Sequence, residues 1–145
     1  MNPMLLSMFS AAATGTNDPA PRVQHFRDPA SPYPFAAAVR VGDLLLVSGQ
    51  IGIDAQGRIA DGVEAQARQA MDNLAASLRM AGLEMRHVVK CLVMLEDMAQ
   101  WPVFNRVYLE YFPDAARLPA RSAFGCSGLA LGAALEVECM ACYSD

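Results

Sequence analysis

The sequence predicts an α+β domain in which two helices pack on one face of a mixed β-sheet. Two segments carry apolar residues at helical spacing, and the apolar segments around them have strand character, in the order β-β-α-β-α-β-β. The length of 145 residues suits a single domain. We expect a flexible leader over residues 1–22, in which residues 14–22, with two prolines, form a disordered link, and one domain over residues 23–145.

The first half of the domain is predicted to hold a β-hairpin and a helix. Apolar stretches over residues 35–41 and 44–53 flank the turn dipeptide Gly42-Asp43. Asp61 and Glu64 have the spacing of a capping box, which predicts a helix from there to about residue 81. The apolar stripe of this helix comprises Ala67, Met71, Leu74, Leu78 and Ala81, whereas Gln66, Arg68, Gln69, Asp72 and Asn73 are expected on other faces.

The second half is predicted to contribute three strands and a second helix. Residues 88–95 form a nearly continuous apolar run, which is typical of a strand covered on both faces. The second helix starts near residues 98–102, with Asp97 as a candidate cap, and ends at Pro113. Strands follow at about residues 121–126 and 135–143. Because 54% of the residues are hydrophobic, we expect the sheet face without helices to be covered by another subunit.

Charge and cysteine usage exclude several classes of protein. The net charge is −4 and the eleven basic residues are scattered, so a nucleic-acid-binding stripe is not expected. No apolar run is long enough to cross a bilayer. The four cysteines match no zinc spacing and favour a reducing compartment, so we expect a cytoplasmic protein. Residues 1–13 leave export as the alternative, because they resemble a short signal remnant without the positive start.

The candidate functional residues are polar groups within the predicted strands and second helix. Arg121 opens an apolar strand, and a guanidinium is the natural partner of a carboxylate, although a solvent-exposed edge arginine is equally compatible. Glu136 and Glu138 share one strand face, which becomes apolar farther along. A carboxylate at such a border can have a raised pKa and exchange protons. Ser48-Gly49 allows close backbone approach to a ligand, and Asn105 either caps a backbone group, which we favour, or contacts a ligand.

Metal and triad chemistry are not indicated. His25 and His87 are far apart in sequence and neither adjoins a carboxylate cluster. A capping or surface role is the simpler interpretation for His87, which lies between a helix end and a strand.

Taken in order, six segments resemble the Rid/YjgF family of reactive-intermediate deaminases. They include LLLVSGQIG, PARS and LEVECMA, and they lie at residues 39–52, 65–74, 88–95, 104–112, 119–122 and 135–141. The resemblance implies a chorismate-mutase-like fold and a homotrimer with its sheets around the threefold axis. It also implies ligand clefts between subunits and no cofactor or metal. The family reaction converts enamines and imines such as 2-aminoacrylate to 2-keto acids and ammonia.

The resemblance also assigns roles to individual residues. Arg121 matches the carboxylate anchor and Glu138 the carboxylate that orients or deprotonates the attacking water. Backbone groups near Gly49 and Ala123 would complete the polar lining, and Ser48 and Asn105 match accessory cleft positions.

Two departures from the family pattern bear on activity. Phe35 stands where many deaminating members have a tyrosine, and Tyr33 is the nearest other source of a hydroxyl. Ala123 stands where some members have a cysteine, which is harmless if only the backbone contributes. The missing hydroxyl leaves a non-catalytic regulatory trimer that binds small carboxylates as the alternative to the enzyme. A nuclease or translation inhibitor, as some relatives have been described, is disfavoured by the acidic charge.

Overall fold

The computed structural model describes residues 22–144, so the predicted leader lies outside the described residues except for Arg22. Six strands and two helices follow one another along the chain. They are β1 (Val23–Phe26), β2 (Ala38–Val41), β3 (Leu44–Ile51), α1 (Val63–Met80), β4 (Val88–Leu95), α2 (Trp101–Tyr111), β5 (Ala120–Gly125) and β6 (Leu135–Cys142). The predicted α+β class, with both helices on one face of a mixed sheet, is confirmed.

The six strands form one sheet in the order β1-β2-β3-β6-β4-β5. Neighbouring strands are antiparallel except β4 and β5, which are parallel and joined through α2. The predicted order lacked β1, which pairs with β2 from Val23 opposite Val41 to Phe26 opposite Ala38. Three of its four residues are exposed, so this short edge strand has no buried alternation by which the sequence would reveal it.

Helix α1 packs its apolar stripe against the sheet as predicted, but its first turn differs from the prediction. The N-cap is Gly62 with φ 84°, and no side chain caps the helix. Glu64 pairs instead with Arg68, one turn later, at 3.0 Å. The predicted capping box is therefore wrong, because the residue at the cap is a glycine and the glutamate lies at the second helical position.

Gln66 was expected away from the buried stripe, and this expectation is also wrong. Its side chain is buried, and its Oε1 accepts a hydrogen bond from the backbone N–H of Ala134 at 2.8 Å. Asn73 also faces the sheet, where its amide donates to the carbonyls of Ile51 at 3.0 Å and Ile53 at 2.9 Å. Two polar residues of α1 thus hold the end of β3 and the approach to β6.

The second helix begins where the sequence signals predicted, but Asp97 caps the 3₁₀ turn that precedes α2 and not α2 itself, whose N-cap Gln100 makes no side-chain capping bond. Pro102 lies in the first turn of α2, and Asp97 accepts a hydrogen bond from Ala99 N–H in the preceding 3₁₀ turn. Phe104 and Tyr108 on the predicted apolar stripe are buried, and Tyr108 reaches the inner face of the sheet near Cys91. The helix face of the sheet and the two helices therefore enclose one hydrophobic core.

The sheet face opposite the helices, here called the outer face, carries uncovered apolar side chains. Leu44, Leu46 and Met140 alternate with buried residues along their strands, Phe124 follows the half-buried Ala123 in β5, and all four are 40–47% exposed. Within the described part of the chain, no helix has the length and apolar character needed to span a membrane.

Candidate functional site

The pairing of β3 with β6 is interrupted in the middle of β3. The pairing register of β3 with β6 shifts between Val47 and Gln50, so Ser48 and Gly49 lie in the irregularity. Ser48 is held there by two bonds, since its hydroxyl donates to Ala36 O at 2.6 Å and its N–H donates to Ala37 O at 3.0 Å. The predicted Ser48 position is thus a structural anchor of the loop that precedes β2.

Gly49 leaves room for the carboxylate of Glu136. A Cβ added at Gly49 would overlap Glu136 Oε1, which therefore lies directly against the backbone of β3. Glu136 faces the outer side of β6, because Leu135 and Val137 on either side of it are buried in the core. The bare backbone at Gly49 and the Glu136 carboxylate thus form one polar surface. The sequence predicted an accessible backbone at Gly49, but it did not predict that Glu136 would lie against it.

This polar surface lines a cavity of about 350 Å³. One of its walls is aromatic, since the rings of Tyr33 and Phe35 stack with centroids 5.5 Å apart and planes at 10°. The cavity is lined by Tyr33, Phe35, Gly49, Gln50, Ile51, Ile53, Ala130, Leu131 and Glu136. We call it the glutamate cavity. A concave, mostly apolar site with a single carboxylate and few other polar groups is the usual form of a small-molecule site.

The electrostatics of the glutamate cavity single out Glu136. Burial raises the pKa of its carboxyl, and the nearby charge of Glu138 raises it further. Glu138 lies on the same outer face, opposite Leu92 of β4, but does not line the cavity. Strand alternation placed both glutamates on one face and the family resemblance assigned the catalytic role to Glu138, but Glu136 is the glutamate that lines this cavity.

Arg121 lies in a different place, on the inner face of β5. Its guanidinium carbon sits 4.6 Å from the ring centroid of Trp101 and 4.5 Å from that of Tyr108, so two aromatic rings hold the cation. None of the ion pairs among residues 22–144 involves Arg121. Its donors are therefore available to an external carboxylate.

Arg121 borders a second cavity of about 450 Å³, here called the arginine cavity. Its lining comprises Asn105, Tyr108, Leu109, Leu118, Pro119 and Arg121. The side-chain oxygens of Asn105 and Tyr108 are buried without hydrogen-bond partners among residues 22–144, which favours the ligand-facing role of Asn105 over the capping role. Ala123, two residues beyond Arg121, packs its methyl group against the core, so its backbone is the part that a ligand could meet.

The two cavities do not meet within one chain. Strands β6 and β4 lie between β3 and β5, which places Gly49 and Arg121 about 14 Å apart across the sheet. Glu136 faces the outer side of the sheet, whereas Arg121 faces the helices. The structure therefore groups the predicted site residues in two places. Phe35, Ser48, Gly49 and Glu136 lie at or beside the glutamate cavity, and Asn105, Arg121 and Ala123 lie at or beside the arginine cavity.

Sequence reasoning missed several residues that line these cavities. Leu131 lies in a single 3₁₀ turn (Ala130–Gly132), where no hydrophobic period marks its position, whereas Ile53 ended the predicted strand and forms an isolated bridge with Ile59 just beyond β3. Tyr108 was assigned to the core stripe, which is correct, but its ring also supports Arg121. Among residues 22–144, no three His, Cys, Asp or Glu side chains are grouped closely enough to hold a metal ion.

Comparison with known proteins gives consistent matches over this domain. The family model described as endoribonuclease L-PSP matches residues 26–143. Mouse 2-iminobutanoate/2-iminopropanoate deaminase is 37% identical over 115 residues, which are 78% of this chain and 84% of the mouse protein. Reactive Intermediate Deaminase A from Arabidopsis thaliana is 36% identical over 115 residues, which are 78% of this chain but 60% of the plant protein.

Solved structures agree with the fold. The crystal structure of the YjgF gene product from Escherichia coli aligns with a TM-score of 0.77 and 29% identity, and the alignment covers 83% of this chain and 99% of that one. Escherichia coli TdcF with bound serine aligns with a TM-score of 0.74 and 30% identity over 84% of this chain and 98% of TdcF. These alignments confirm the chorismate-mutase-like fold, and together with the family match they establish that this chain belongs to the Rid/YjgF family.

Proposed function

We propose that this protein hydrolyses enamines and imines of small 2-amino acids to 2-keto acids and ammonia. The observation that carries the proposal is the Glu136 carboxylate, whose pKa is raised by burial beside the bare backbone of Gly49 in a mostly apolar cavity. The deaminase names of the mouse and Arabidopsis relatives support the same reaction. The reaction needs a base for water and an anchor for a carboxylate, and the family fold offers both.

In the proposed reaction, water attacks C2 of the imine while Glu136 accepts its proton. The water oxygen forms a bond to C2 as the C=N π electrons move to the nitrogen, which takes the proton back from Glu136. Glu136 then accepts the hydroxyl proton of the resulting carbinolamine and passes it to the amino group, so that ammonia leaves as the C–N bond breaks and the C=O bond forms. A carboxylate whose pKa is raised toward neutrality suits both proton transfers. Glu138, which the family resemblance pointed to, is the competing candidate for this role.

Arg121 is proposed to hold the substrate carboxylate. Its guanidinium is fixed by two aromatic rings and has no carboxylate partner among the described residues, so it can bind a ligand carboxylate bidentately. Because Arg121 and Glu136 lie on different sides of one chain, we propose a homotrimer in which neighbouring subunits complete each cleft. The uncovered outer face, with Leu46 and Met140, supplies apolar surface for such an assembly.

The first test generates 2-imino acids in situ with an amino-acid oxidase and follows keto-acid formation. Wild-type protein should accelerate it, and Arg121→Ala should lower kcat/KM by about 100-fold, since a charged carboxylate would lose its partner. Arg79→Ala removes the same charge from an exposed position of α1 and should match wild type. Equal activity of the two variants would remove Arg121 from the site.

The second candidate is a non-catalytic trimer that binds small keto acids in the same cleft. It is favoured by Phe35, which lines the glutamate cavity without a hydroxyl. It predicts keto-acid binding that depends on Arg121, with no acceleration of imine hydrolysis in the same assay. For either function we propose a cytoplasmic location, because all four cysteines are free thiols. Export remains the alternative if residues 1–13 are a signal remnant.

A further inference from the structure

The glutamate cavity is larger and more apolar than a substrate with a methyl side chain requires. Its lining combines the stacked rings of Tyr33 and Phe35 with the aliphatic side chains of Ile51 and Ile53. A volume of about 350 Å³ falls within the range of pockets that enclose sizeable organic ligands. A substrate of alanine size would leave most of this apolar wall in contact with water.

Leu131 extends the apolar wall in an unusual way. It has φ 56° and ψ 22°, the left-handed region that disfavours branched side chains, and its side chain is 64% exposed in the single chain. Folding alone gives no reason for an exposed leucine here, because glycine or asparagine would adopt this conformation with less strain. A strained residue at the wall of a cavity is the kind of feature that ligand contact explains.

The charge of the cavity restricts its ligand further. Its lining contains no Lys, Arg or His, and Glu136 is its one titratable carboxyl. The amide of Gln50 donates to the carbonyl of Ser48 at 3.0 Å and is therefore committed to its own strand. Because the substrate's own carboxylate would occupy the neighbouring Arg121, an acidic side chain would meet the Glu136 charge with no cation left to offset it, whereas a neutral apolar side chain would not.

We infer that the glutamate cavity selects 2-imino acids with a large, neutral, apolar side chain, and that Leu131 is a specificity-determining residue. This inference rests on the proposed deaminase function, because it states where the side chain of that reaction's substrate binds. The amino and carboxyl ends face Glu136 and the Arg121 of a neighbouring copy, and the side chain lies along Phe35, Ile53 and Leu131.

The test compares imines made from alanine, leucine, phenylalanine and glutamate in the same oxidase-coupled assay. One additional methylene group in an apolar pocket changes kcat/KM by about tenfold. We therefore expect the leucine and phenylalanine imines to exceed the alanine imine by at least about tenfold, with glutamate last. Leu131→Asn keeps a residue that tolerates the left-handed conformation but removes the apolar surface. It should lower the leucine-to-alanine ratio of kcat/KM by about tenfold.

Met80→Gln is the matched control, because Met80 is an exposed apolar residue at the end of α1 outside both cavities. It should leave the leucine-to-alanine ratio at the wild-type value. Hydrolysis of all imines with no preference for large side chains, or an unchanged ratio in Leu131→Asn, would overturn the inference while the proposed function stands.

A binding experiment separates the two hypotheses if no imine is hydrolysed. Calorimetric titration with 2-ketobutyrate and 4-methyl-2-oxopentanoate measures the same side-chain preference without turnover. Tighter binding of the larger keto acid, weakened by Leu131→Asn, would support the selectivity although the deaminase proposal had failed. Equal binding of the two keto acids would overturn the selectivity as well.

Discussion

At the residue scale, the position of the Glu136 carboxylate depends on the absence of a side chain at Gly49. Gly49 leaves open the space that Glu136 Oε1 occupies, and a methyl group there would displace the carboxylate. The same packing removes water from Glu136, and this burial is the larger cause of its raised pKa, with Glu138 as the second. One glycine therefore sets both the place and the proton affinity of the proposed base.

Substitution of each glutamate by glutamine should separate their roles. Glu136→Gln removes the proposed base and should lower kcat/KM by about 100-fold or more. In wild type, kcat/KM should fall as the pH drops below the raised pKa of Glu136, because the base must be ionised. Glu138→Gln removes a like charge, so the pKa of Glu136 should fall and this acidic limb should move to lower pH.

The measurement is a profile of kcat/KM from pH 5 to pH 9 for wild type and both variants, a range of about four units around neutrality. If Glu138→Gln is the inactive variant and Glu136→Gln retains activity, the catalytic role returns to Glu138. An acidic limb that does not move in Glu138→Gln would show that the two carboxylates are not electrostatically coupled in the assembled protein.

At the element scale, α1 holds the strand ends that shape the glutamate cavity. Asn73 binds the carbonyls of Ile51 and Ile53, and Gln66 binds the N–H of Ala134 just before β6. The close approach of α1 to β3 also requires Gly52, where a Cβ would lie 2.5 Å from Gln66 Cα. The helix is therefore a support for the site although it contributes no group to the cavity.

Asn73→Ala should lower the free energy of unfolding by about 2 kcal/mol, because two partly buried carbonyls lose their donor. Urea denaturation measures this change. Gln69→Ala is the matched control on the same helix, since the Gln69 side chain bonds only to Asn73 Oδ1 among residues 22–144 and its loss leaves both carbonyls satisfied. It should cost less than about 1 kcal/mol. Equal losses in the two variants would mean that the bonds to Ile51 and Ile53 add no stability of their own.

Periodicity predicted the elements that bury a continuous face and failed where a single residue decides the geometry. Helix α1, β4 and β6 follow from apolar spacing, whereas exposed β1 and the Gly62 cap carry no such pattern. Alternation puts Glu136 and Glu138 on one face but cannot choose between them. That choice depends on the irregularity in β3, which reflects tertiary pairing with β6.

At the scale of the whole molecule, the candidate site residues fall into two groups, here called half-sites. Phe35, Gly49 and Glu136 line one cavity, and Asn105 and Arg121 line the other, with strand β4 between Glu136 on β6 and Arg121 on β5. The outer face exposes apolar side chains such as Leu46 and Met140, and apolar sheet surface of this kind is normally buried. Association would both cover that face and join unlike half-sites from neighbouring copies.

Mixing two inactive variants tests this arrangement directly. Arg121→Ala and Glu136→Gln should each be inactive alone, yet equal amounts unfolded and refolded together should regain up to about a quarter of wild-type activity. In a shared cleft, one copy supplies Arg121 and its neighbour supplies Glu136, so one cleft in four receives both intact residues. If both residues of each site came from the same chain, every site would keep one defect and mixing would restore nothing. The mass of the refolded mixture, measured by sedimentation, must match wild type, so that a failure to assemble is not mistaken for a failure to complement.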